Sequence, residues 1–262
     1  MNIVVCLKQV PDTNEVKIDP KTGTLIRDGV PSIINPDDKN ALEEALKLKD
    51  SKGAHVTVVS MGPPQAKVAL EESLAMGADE AILITDRAFA GADTLATSYA
   101  IASALKKLDY DIVFAGRQAI DGDTAQVGPE LAEHLNIAQV TYVEDVEVEN
   151  DNTLKVRKAW EDGYEYIRVN TPVVLTAIET LNTPRYMDIR NIFSMSKEKE
   201  VKVWTVADME VEKERLGLSG SPTRVKKSMT KEAKGQGELF NDITPKEAAA
   251  IALSKLKEKH FI

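Results

Sequence analysis

The stretch from Gly116 to Val127 carries residue types that can hold a phosphate group. The β-branched run Ile112–Ala115 predicts a buried strand that delivers Gly116. The loop after it is rich in small and hydrogen-bonding residues: Arg117, Gln118, Asp121, Gly122, Asp123, Thr124 and Gln126. A helix predicted from Thr124 to Leu135 offers free amides in its first turn, which bind anions. By spacing alone, an ordinary loop with Asp123 as helix cap is at least as consistent.

A second group of hydroxyls stands at the start of another predicted helix, Asp93–Leu108. Thr94 and Thr97 are three residues apart in its first turn, so both hydroxyls and the free amides can face one diphosphate. Asp93 is acidic, and we expect it to orient backbone amides or a ribityl hydroxyl rather than touch phosphate. The alternative is that Asp93 or Thr94 only caps the helix. We favour the binding role because this cap lies on the same sheet edge as Gly116.

Other kinds of chemistry have less support. His55, His134 and His260 are scattered and predict no metal site. Cys6 ends a predicted buried strand with no base nearby, which favours a small core residue over a nucleophile. No glycine-rich phosphate loop of ATP enzymes is present, so an adenylate-transfer or regulatory protein is a distant alternative. We predict no catalytic acid or base.

Composition narrows the classes of protein. The 262 residues, 43% of them hydrophobic, can bury a substantial core, and a net charge of −9 argues against general affinity for nucleic acid. The single cysteine excludes an intramolecular disulfide and multi-cysteine clusters, and it favours a reducing cytoplasm. No apolar run is long enough to cross a bilayer, so we expect no membrane insertion.

Strands and helices must alternate to position these residues. Short β-branched runs and amphipathic segments alternate through the first two-thirds of the chain, which predicts an α/β fold with a mostly parallel sheet. Asn35 and Pro36 predict the start of one helix and Gly53 its end. The loops after the strands lead into helix N-termini, where open α/β sheets bind ligands.

The later part of the chain has a different pattern. Runs at 141–148, 154–159 and 164–169, followed by 172–177, predict an antiparallel extension of the same sheet. The stretch from Thr180 to about Phe240 is poor in apolar periodicity, and Thr244–Lys257 predicts one amphipathic helix. We therefore expect an α/β domain at residues 1–200 and an extended C-terminal arm with a terminal helix at 201–262 that packs on a partner.

Several motifs, in order, resemble the electron-transferring flavoprotein β subunit family. The loop from Gly116 is similar to the family's signature, and the resemblance extends over about the first 200 residues. It rests also on the segments Cys6–Asp12, Asn35–Asp38, Ser60–Pro63, Ala75–Asp79 and Leu181–Tyr186.

This resemblance implies a nucleotide-binding sandwich, Rossmann-like and adenine nucleotide α-hydrolase-like, that pairs with an FAD-carrying α subunit. It places the nucleotide pocket at Cys6, Asn35, Pro36, Asp37, Asp38, Met61, Gly116, Arg117, Gln118, Asp121, Gly122, Asp123, Thr124, Gln126 and Val127. Simple carriers of the family hold AMP there. The bifurcating branch holds a second FAD, and its Asp-Thr-x-Ala-Thr motif resembles Asp93, Thr94 and Thr97, so FAD is the favoured cofactor and AMP the alternative.

The resemblance also implies partners. In the bifurcating branch NADH is the electron donor, ferredoxin takes one electron, and an acyl-CoA dehydrogenase-like partner takes the other through the α-subunit flavin. The segment that docks on the dehydrogenase maps onto Pro184, Arg185, Tyr186, Ile189 and Ile192. Ile189 stands where typical members have Leu. By spacing alone, Ile189 and Ile192 could equally be the buried side of a short helix.

Overall fold

The computed structural model describes residues 1–12, 17–18, 25–26, 31–198, 200–224, 235 and 237–262, with side chains left undescribed at 17–18, 25–26 and 194–198. The chain forms two compact units, residues 1–227 and 228–262. The described strands are β1 (Asn2–Cys6), β2 (Gln9–Pro11), β3 (Lys17–Ile18), β4 (Leu25–Ile26), β5 (Ser32–Ile34), β6 (His55–Met61), β7 (Glu80–Ile84), β8 (Ile112–Gly116), β9 (Ala138–Asn150), β10 (Thr153–Trp160), β11 (Gly163–Asn170), β12 (Val173–Ala177) and β13 (Lys202–Trp204).

The described α-helices are α1 (Pro36–Lys52), α2 (Lys67–Met76), α3 (Thr94–Leu105), α4 (Val127–Leu135), α5 (Ile189–Glu198), α6 (Gly217–Gly220) and α7 (Pro245–Glu258). Five single 3-10 turns lie between them, at Pro64–Ala66, Arg87–Phe89, Glu179–Leu181, Val206–Asp208 and Lys213–Arg215. The part of the chain that the structure describes holds no helix long and apolar enough to span a membrane.

Nine strands form the main sheet of the first unit, in the order β11-β10-β9-β12-β8-β1-β6-β7-β13. In the part of this order that runs β9-β12-β8-β1-β6-β7-β13, all neighbouring strands are parallel. The β9–β10 and β10–β11 pairs are antiparallel. The predicted mostly parallel sheet with an antiparallel extension is therefore confirmed, but the run 172–177, which was predicted to belong to the extension, forms β12 inside the parallel part between β9 and β8. β3 and β4 pair antiparallel, and a second small sheet joins β2 to β5.

Helices cover both faces of this sheet. Side chains of α1 and α2, such as Leu42 and Leu70, join one buried cluster, which also includes Val156 of the antiparallel extension. Side chains of α3 and α4, such as Tyr99 and Leu131, join a second cluster on the other face. Because β1 alternates its side chains between the two faces, it contributes to both clusters. This is the three-layer arrangement that α/β alternation predicts.

Local signals set most helix ends. Proline is the first residue of α1, and Gly53 ends that helix with φ 69°, a left-handed conformation that glycine adopts without strain. In the second unit, Thr244 and Glu247 form the predicted capping box of α7.

Two predictions of local structure were wrong. The helix predicted from Thr124 begins at Val127 because Asp123 and Ala125 have φ values of 50° and 54°, which a right-handed helix does not allow. The side chain of Asn35 does not cap α1, because it bonds to another loop instead.

The segment from Thr180 to Phe240 is more regular than predicted. It contains α5, β13 and α6, and β13 extends the main sheet beyond β7. Three residues are too short a run to give an alternating pattern, so only pairing with an existing strand makes this segment a strand.

Candidate functional site

The strand order produces a crevice at the carboxyl edge of the sheet. From β1 the chain continues outward to β6 and β7 on one side, then returns to β8 on the other side of β1. The connections after β1 and β8 therefore diverge, and such a switch point is where open α/β sheets bind ligands. Cys6, Met61 and Gly116 are the last residues of the three central strands β1, β6 and β8. The structure thus brings these predicted site residues to one edge.

Asp38, in the first turn of α1, ties the two sides of the crevice together. Its carboxylate accepts hydrogen bonds from the backbone amides of Lys8 (2.7 Å) and Gly116 (2.9 Å), which follow β1 and end β8. Burial raises the pKa of Asp38 to about 7, although the amides and the Asn35 side chain lower it. Asp38 is therefore a scaffold residue, because both of its oxygens are used within the protein.

Gly116 is required by this contact. A Cβ at this position would lie 2.3 Å from Asp38 Oδ1 and 2.9 Å from the carbonyl carbon of Asp37. Only glycine lets α1 come this close to the end of β8.

Asn35 holds the loop after β8. Its Nδ2 donates to the Gln118 carbonyl at 2.8 Å, and its Oδ1 accepts from the amide of Ile120 at 3.1 Å. The Asn35 side chain is fully buried. The amide and the carbonyl that it bonds belong to the loop after β8, which is the predicted phosphate-binding loop. Asn35 thus fixes that loop's backbone while leaving its side chains to face the crevice.

Three polar contacts organise the rest of this loop. Lys8 forms an ion pair with Asp121 at 2.6 Å, Arg117 with Asp37 at 3.4 Å, and Gln118 donates to Asp123 at 2.9 Å. Lys8 was not among the predicted site residues, although it lies within the Cys6–Asp12 motif. Gly122 has open space where a Cβ would stand. The loop therefore has two cations at its backbone, each paired with a carboxylate.

The N-terminus of α3 lies beside this loop. Asp93 caps the helix, because its Oδ1 accepts from the Ala96 amide at 3.1 Å. Thr94 Oγ1 lies 3.1 Å from Gln126 Oε1, so the two predicted groups of residues are in contact. Within the described part of the chain, the amides of Thr94 and Leu95 and the hydroxyl of Thr97 have no hydrogen-bond partner.

Asp93 has a second role that its sequence position does not reveal. Its Oδ2 accepts from the amide and hydroxyl of Thr223, at 3.1 and 2.8 Å, and its own amide donates to Ser221 at 2.8 Å. Burial acts to raise the pKa of Asp93, but these donors outweigh it and leave the pKa lowered. Asp93 therefore caps α3 and also fastens the segment of residues 209–224, here called the strap.

Of the remaining predicted pocket residues, Pro36 and Asp37 open α1, Val127 opens α4, and Thr124 lies in the loop before it. The thiol of Cys6 is buried. Its burial, and secondly the charge of Asp38, raise its pKa to about 12. The thiol is therefore uncharged at neutral pH and a weak nucleophile. Among the described residues no group of His, Cys, Asp and Glu could hold a metal ion.

A separate cleft lies on another part of the first unit. It has a volume of about 660 Å³ and separates the C-terminal half of α3 from the strap, near Tyr99, Lys107 and Arg215. This cleft is remote from the carboxyl edge of the main sheet, where the groups that can donate hydrogen bonds to phosphate meet. We therefore place the candidate site at the carboxyl edge.

The predicted docking segment, residues 184–192, is exposed at its apolar positions. Tyr186 is 97% and Ile189 66% exposed, and Ile192 is also exposed, so Ile189 and Ile192 are not the buried side of a helix. Arg185 instead faces inward, where its Nε and Nη2 bond to Glu43 at 2.9 and 3.0 Å. Arg185 therefore anchors the segment to α1, and the apolar side chains remain available.

The donor set at the crevice fits a diphosphate group. Free amides of Thr94 and Leu95, the Thr97 hydroxyl, and the cationic Lys8 and Arg117 are groups that bind phosphate oxygens.

Fold and site together define an α/β protein of the Rossmann-like class, with its candidate ligand crevice at the switch point of the sheet. Residues 22–209 match the family described as electron transfer flavoprotein domain. The chain is 74% identical, over the full length of both chains, to the electron transfer flavoprotein subunit beta of Clostridium acetobutylicum. It is 54% identical, over all of both chains, to subunit CarD of the caffeyl-CoA reductase-Etf complex of Acetobacterium woodii.

It is also 46% identical, again over all of both chains, to the acryloyl-CoA reductase electron transfer subunit gamma of Anaerotignum propionicum. The chain belongs to the electron transfer flavoprotein β subunit family. Its role is electron transfer within a flavin-associated system, and as a β subunit it works with an α subunit.

Proposed function

We propose that this β subunit binds FAD in the crevice between Asp38, the Gly116 loop and the N-terminus of α3. With the α subunit it would bifurcate electrons from NADH to ferredoxin and to an acyl-CoA dehydrogenase-like partner. The observation that carries this proposal is the contact between Thr94 and Gln126 at 3.1 Å. It puts a second set of phosphate donors directly beside the first.

Two phosphates need two sets of donors. The loop after β8, held by Asn35 and Asp38, carries Arg117 and lies against Lys8, and these two cations, which pair with Asp37 and Asp121, would turn to one phosphate. The first turn of α3 supplies the Thr94 and Leu95 amides and the Thr94 and Thr97 hydroxyls for the other, with the helix dipole adding to them. Bound FAD would supply hydride acceptance and one-electron transfer, and the chain's residues would bind and orient it.

The names of two relatives support the downstream partner. One is a subunit of a caffeyl-CoA reductase-Etf complex, and the other is an electron transfer subunit of acryloyl-CoA reductase. Both names join an electron transfer protein to an enzyme that acts on an acyl-CoA. Such an enzyme is the kind of acceptor proposed here. We place its docking site on the exposed residues Tyr186, Ile189 and Ile192, with Pro184 and Arg185 setting the path of the segment.

The alternative function is that of a simple electron carrier with AMP in the same crevice. AMP has one phosphate, so it would use the loop after β8 and leave Thr94 and Thr97 as ordinary first-turn residues. The C-terminal arm would pack on the α subunit under either function.

The test is cofactor content. The chain is co-expressed with its α subunit, and FAD and AMP are released and counted per heterodimer. Two FAD and no AMP are expected. One FAD with one AMP would reject the bifurcating proposal in favour of the carrier.

A variant pair assigns the second FAD to its site. T94V/T97V removes both hydroxyls from the first turn of α3 and is expected to lower FAD content from two toward one per heterodimer. T153V, at the start of β10 and far from the crevice, is the matched control and should keep two. Equal FAD content in both variants would contradict a role for these threonines.

A further inference from the structure

The hydroxyl of Thr94 faces two acceptors and has one hydrogen to give. Thr94 Oγ1 lies 3.1 Å from Gln126 Oε1 and 3.2 Å from Glu130 Oε1. The amide of Gln126 can turn and become a donor, but an ionised Glu130 only accepts. With Glu130 ionised, the Thr94 hydrogen is drawn toward the carboxylate. A phosphate oxygen, which also only accepts, would then compete with Glu130 for that hydrogen.

Glu130 is poorly satisfied as an anion. Its Oε2 is buried and has no hydrogen-bond partner among the described residues. Ser98 is the nearest other hydroxyl, but it donates to the carbonyl of Leu95 at 3.0 Å. Burial raises the pKa of Glu130, the hydroxyls of Ser98 and Thr94 lower it in part, and the carboxylate of Asp93 raises it again. Geometry and charge therefore make the ionised form of Glu130 less favourable than that of a solvent-exposed glutamate.

The charged groups around Glu130 offer it little compensation. From α3, the element packed against it, the N-cap Asp93 adds a negative charge. On its own helix, His134 lies one turn further on, and burial followed by the charge of Arg215 lowers the pKa of that imidazole. Lys106 also acts on His134. β12 meets α4 at Gly128 with the uncharged Thr176.

We infer that Glu130 is a positioning residue that takes up one proton when a phosphate group binds at the N-terminus of α3. The protonated carboxyl donates to Thr94 Oγ1, and the Thr94 hydrogen is thereby released to a phosphate oxygen. The proton comes from solvent, and no covalent bond other than this O–H bond forms. The ligand itself rests on the proposed function, in which it is the diphosphate of FAD.

The phosphate itself drives this uptake. Its negative charge approaches Glu130 and disfavours the ionised carboxylate further, so Glu130 binds a proton more tightly in the complex than in the free chain. Affinity for the ligand is therefore high at low pH and falls as pH rises through the pKa of Glu130 in the complex. Because at most one proton is taken up, Kd rises by at most about tenfold per pH unit.

The test is calorimetric titration of FAD into the flavin-depleted αβ heterodimer, in two buffers of different ionisation enthalpy. The diphosphate diester of FAD has no proton to exchange near neutral pH, so proton uptake reports on the protein. Net uptake of up to one proton is expected in the wild type. The flavin site of the α subunit is the same in all variants. Its contribution to the measured proton uptake therefore cancels when a variant is compared with the wild type.

The variant E130Q distinguishes a positioning role of Glu130 from a purely structural one. Its amide donates to Thr94 without titrating, so the variant should bind FAD at the β site with the affinity that the wild type shows at low pH, without proton uptake. E133Q, on the exposed side of the same helix, should behave as the wild type.

Equal proton uptake by wild type and E130Q would overturn the inference, as would wild-type binding with no uptake at all from pH 6 to 9. The second result needs no variant and stands even if E130Q folds poorly. Failure of the proposed function has a different signature, namely a β site that takes AMP and no FAD. AMP would use the loop after β8 and leave Thr94 uninvolved, so wild type and E130Q should then take up protons equally on binding AMP, and the inference would fall together with the proposed function.

Discussion

At the scale of single residues, Asp38 and Gly116 explain how the crevice keeps its shape. Asp38 joins the amides at the ends of two neighbouring strands, although the two partners Asp38 and Gly116 are 78 residues apart. Gly116 makes this possible because any side chain would collide with the Asp38 carboxylate. A buried carboxylate with backbone donors on both oxygens has a structural role. We expect its removal to lower the free energy of unfolding.

The stability contribution of Asp38 is expected to depend on pH. The pKa of Asp38 is raised to about 7 in the folded chain, whereas an unfolded Asp titrates near pH 4. The folded state therefore binds more protons between these values, and the contribution of Asp38 to the free energy of unfolding falls as pH rises from about 4 to about 7. The unfolding free energy of wild type minus that of D38N should shrink over this range by at most about 4 kcal/mol.

Urea unfolding of both chains at several pH values, followed by tryptophan fluorescence, measures this difference. D162N, in the exposed turn between β10 and β11, controls for the substitution itself. A wild-type advantage over D38N that stays constant from pH 4.5 to 7.5 would show that Asp38 does not titrate in this range.

Gly116→Ala tests the close approach of α1 to β8. The new Cβ would stand 2.3 Å from Asp38 Oδ1 and force the two elements apart, at a cost of about 3 kcal/mol in the free energy of unfolding. Gly122→Ala, in the same loop but with open space around the position, should change stability by no more than about 0.5 kcal/mol. Similar losses for both alanine variants in urea unfolding would refute the steric argument.

At the scale of elements, the proposed docking segment holds its apolar side chains in fixed positions. Arg185 is held by Glu43 and also by Asp50, at 2.8 Å, and Asn182 and Asn40 bond to each other across the same contact with α1. These ties fix the backbone, so Ile189 is exposed without being loose. Preordered apolar side chains lower the entropy cost of binding, which suits a transient electron-transfer contact.

Ile189→Asp is expected to weaken transfer to the dehydrogenase at least tenfold, because it puts a charge where an apolar contact forms, while the melting temperature stays within about 2 °C. The readout is the rate of acyl-CoA dehydrogenase reduction at limiting dehydrogenase, together with FAD content. Val68→Asp is the matched control, since Val68 is an equally exposed aliphatic residue on α2. An equal loss of rate in both variants would point to a general charge effect.

At the scale of the whole molecule, the two units differ in how they are held. Both buried clusters draw all their members from residues 1–216, so the first unit has its own core. The strap is part of that core, because Met209 and Leu216 are buried in it. The second unit has no buried residue among those described. An amphipathic helix without buried side chains suits packing on another chain.

Deleting residues 228–262 is therefore expected to change the free energy of unfolding of the first unit by less than about 1 kcal/mol, while weakening association with the α subunit. Ending the chain after Asp208 removes the strap and its buried leucine, and should cost about 3 kcal/mol. Urea unfolding and the yield of co-purified α subunit measure the two effects. If the shorter deletion destabilised the chain as much as the longer one, the core would not end where the structure places it.

The sequence by itself determined the features that depend on neighbours along the chain. Alternation of strands and helices, the extension of the sheet, the turn at Gly53 and the capping box at Thr244 all rest on periods or caps within a few residues. The family motifs belong here too, whereas the structure decided that Ile189 is exposed. The assignment of the crevice to a nucleotide, and the boundary expected after residue 200, stay predictions.

Only the tertiary structure decided which side chains meet. Asp93 and Thr223 are 130 residues apart, and Thr94 and Glu130 are 36 apart, so no local pattern links them. Asn35 has the right position for a helix cap, yet its buried amide bonds to the loop after β8 because the fold places the Gln118 carbonyl and the Ile120 amide beside it. Long-range pairing outweighs local preference wherever a buried polar group would otherwise lack a partner.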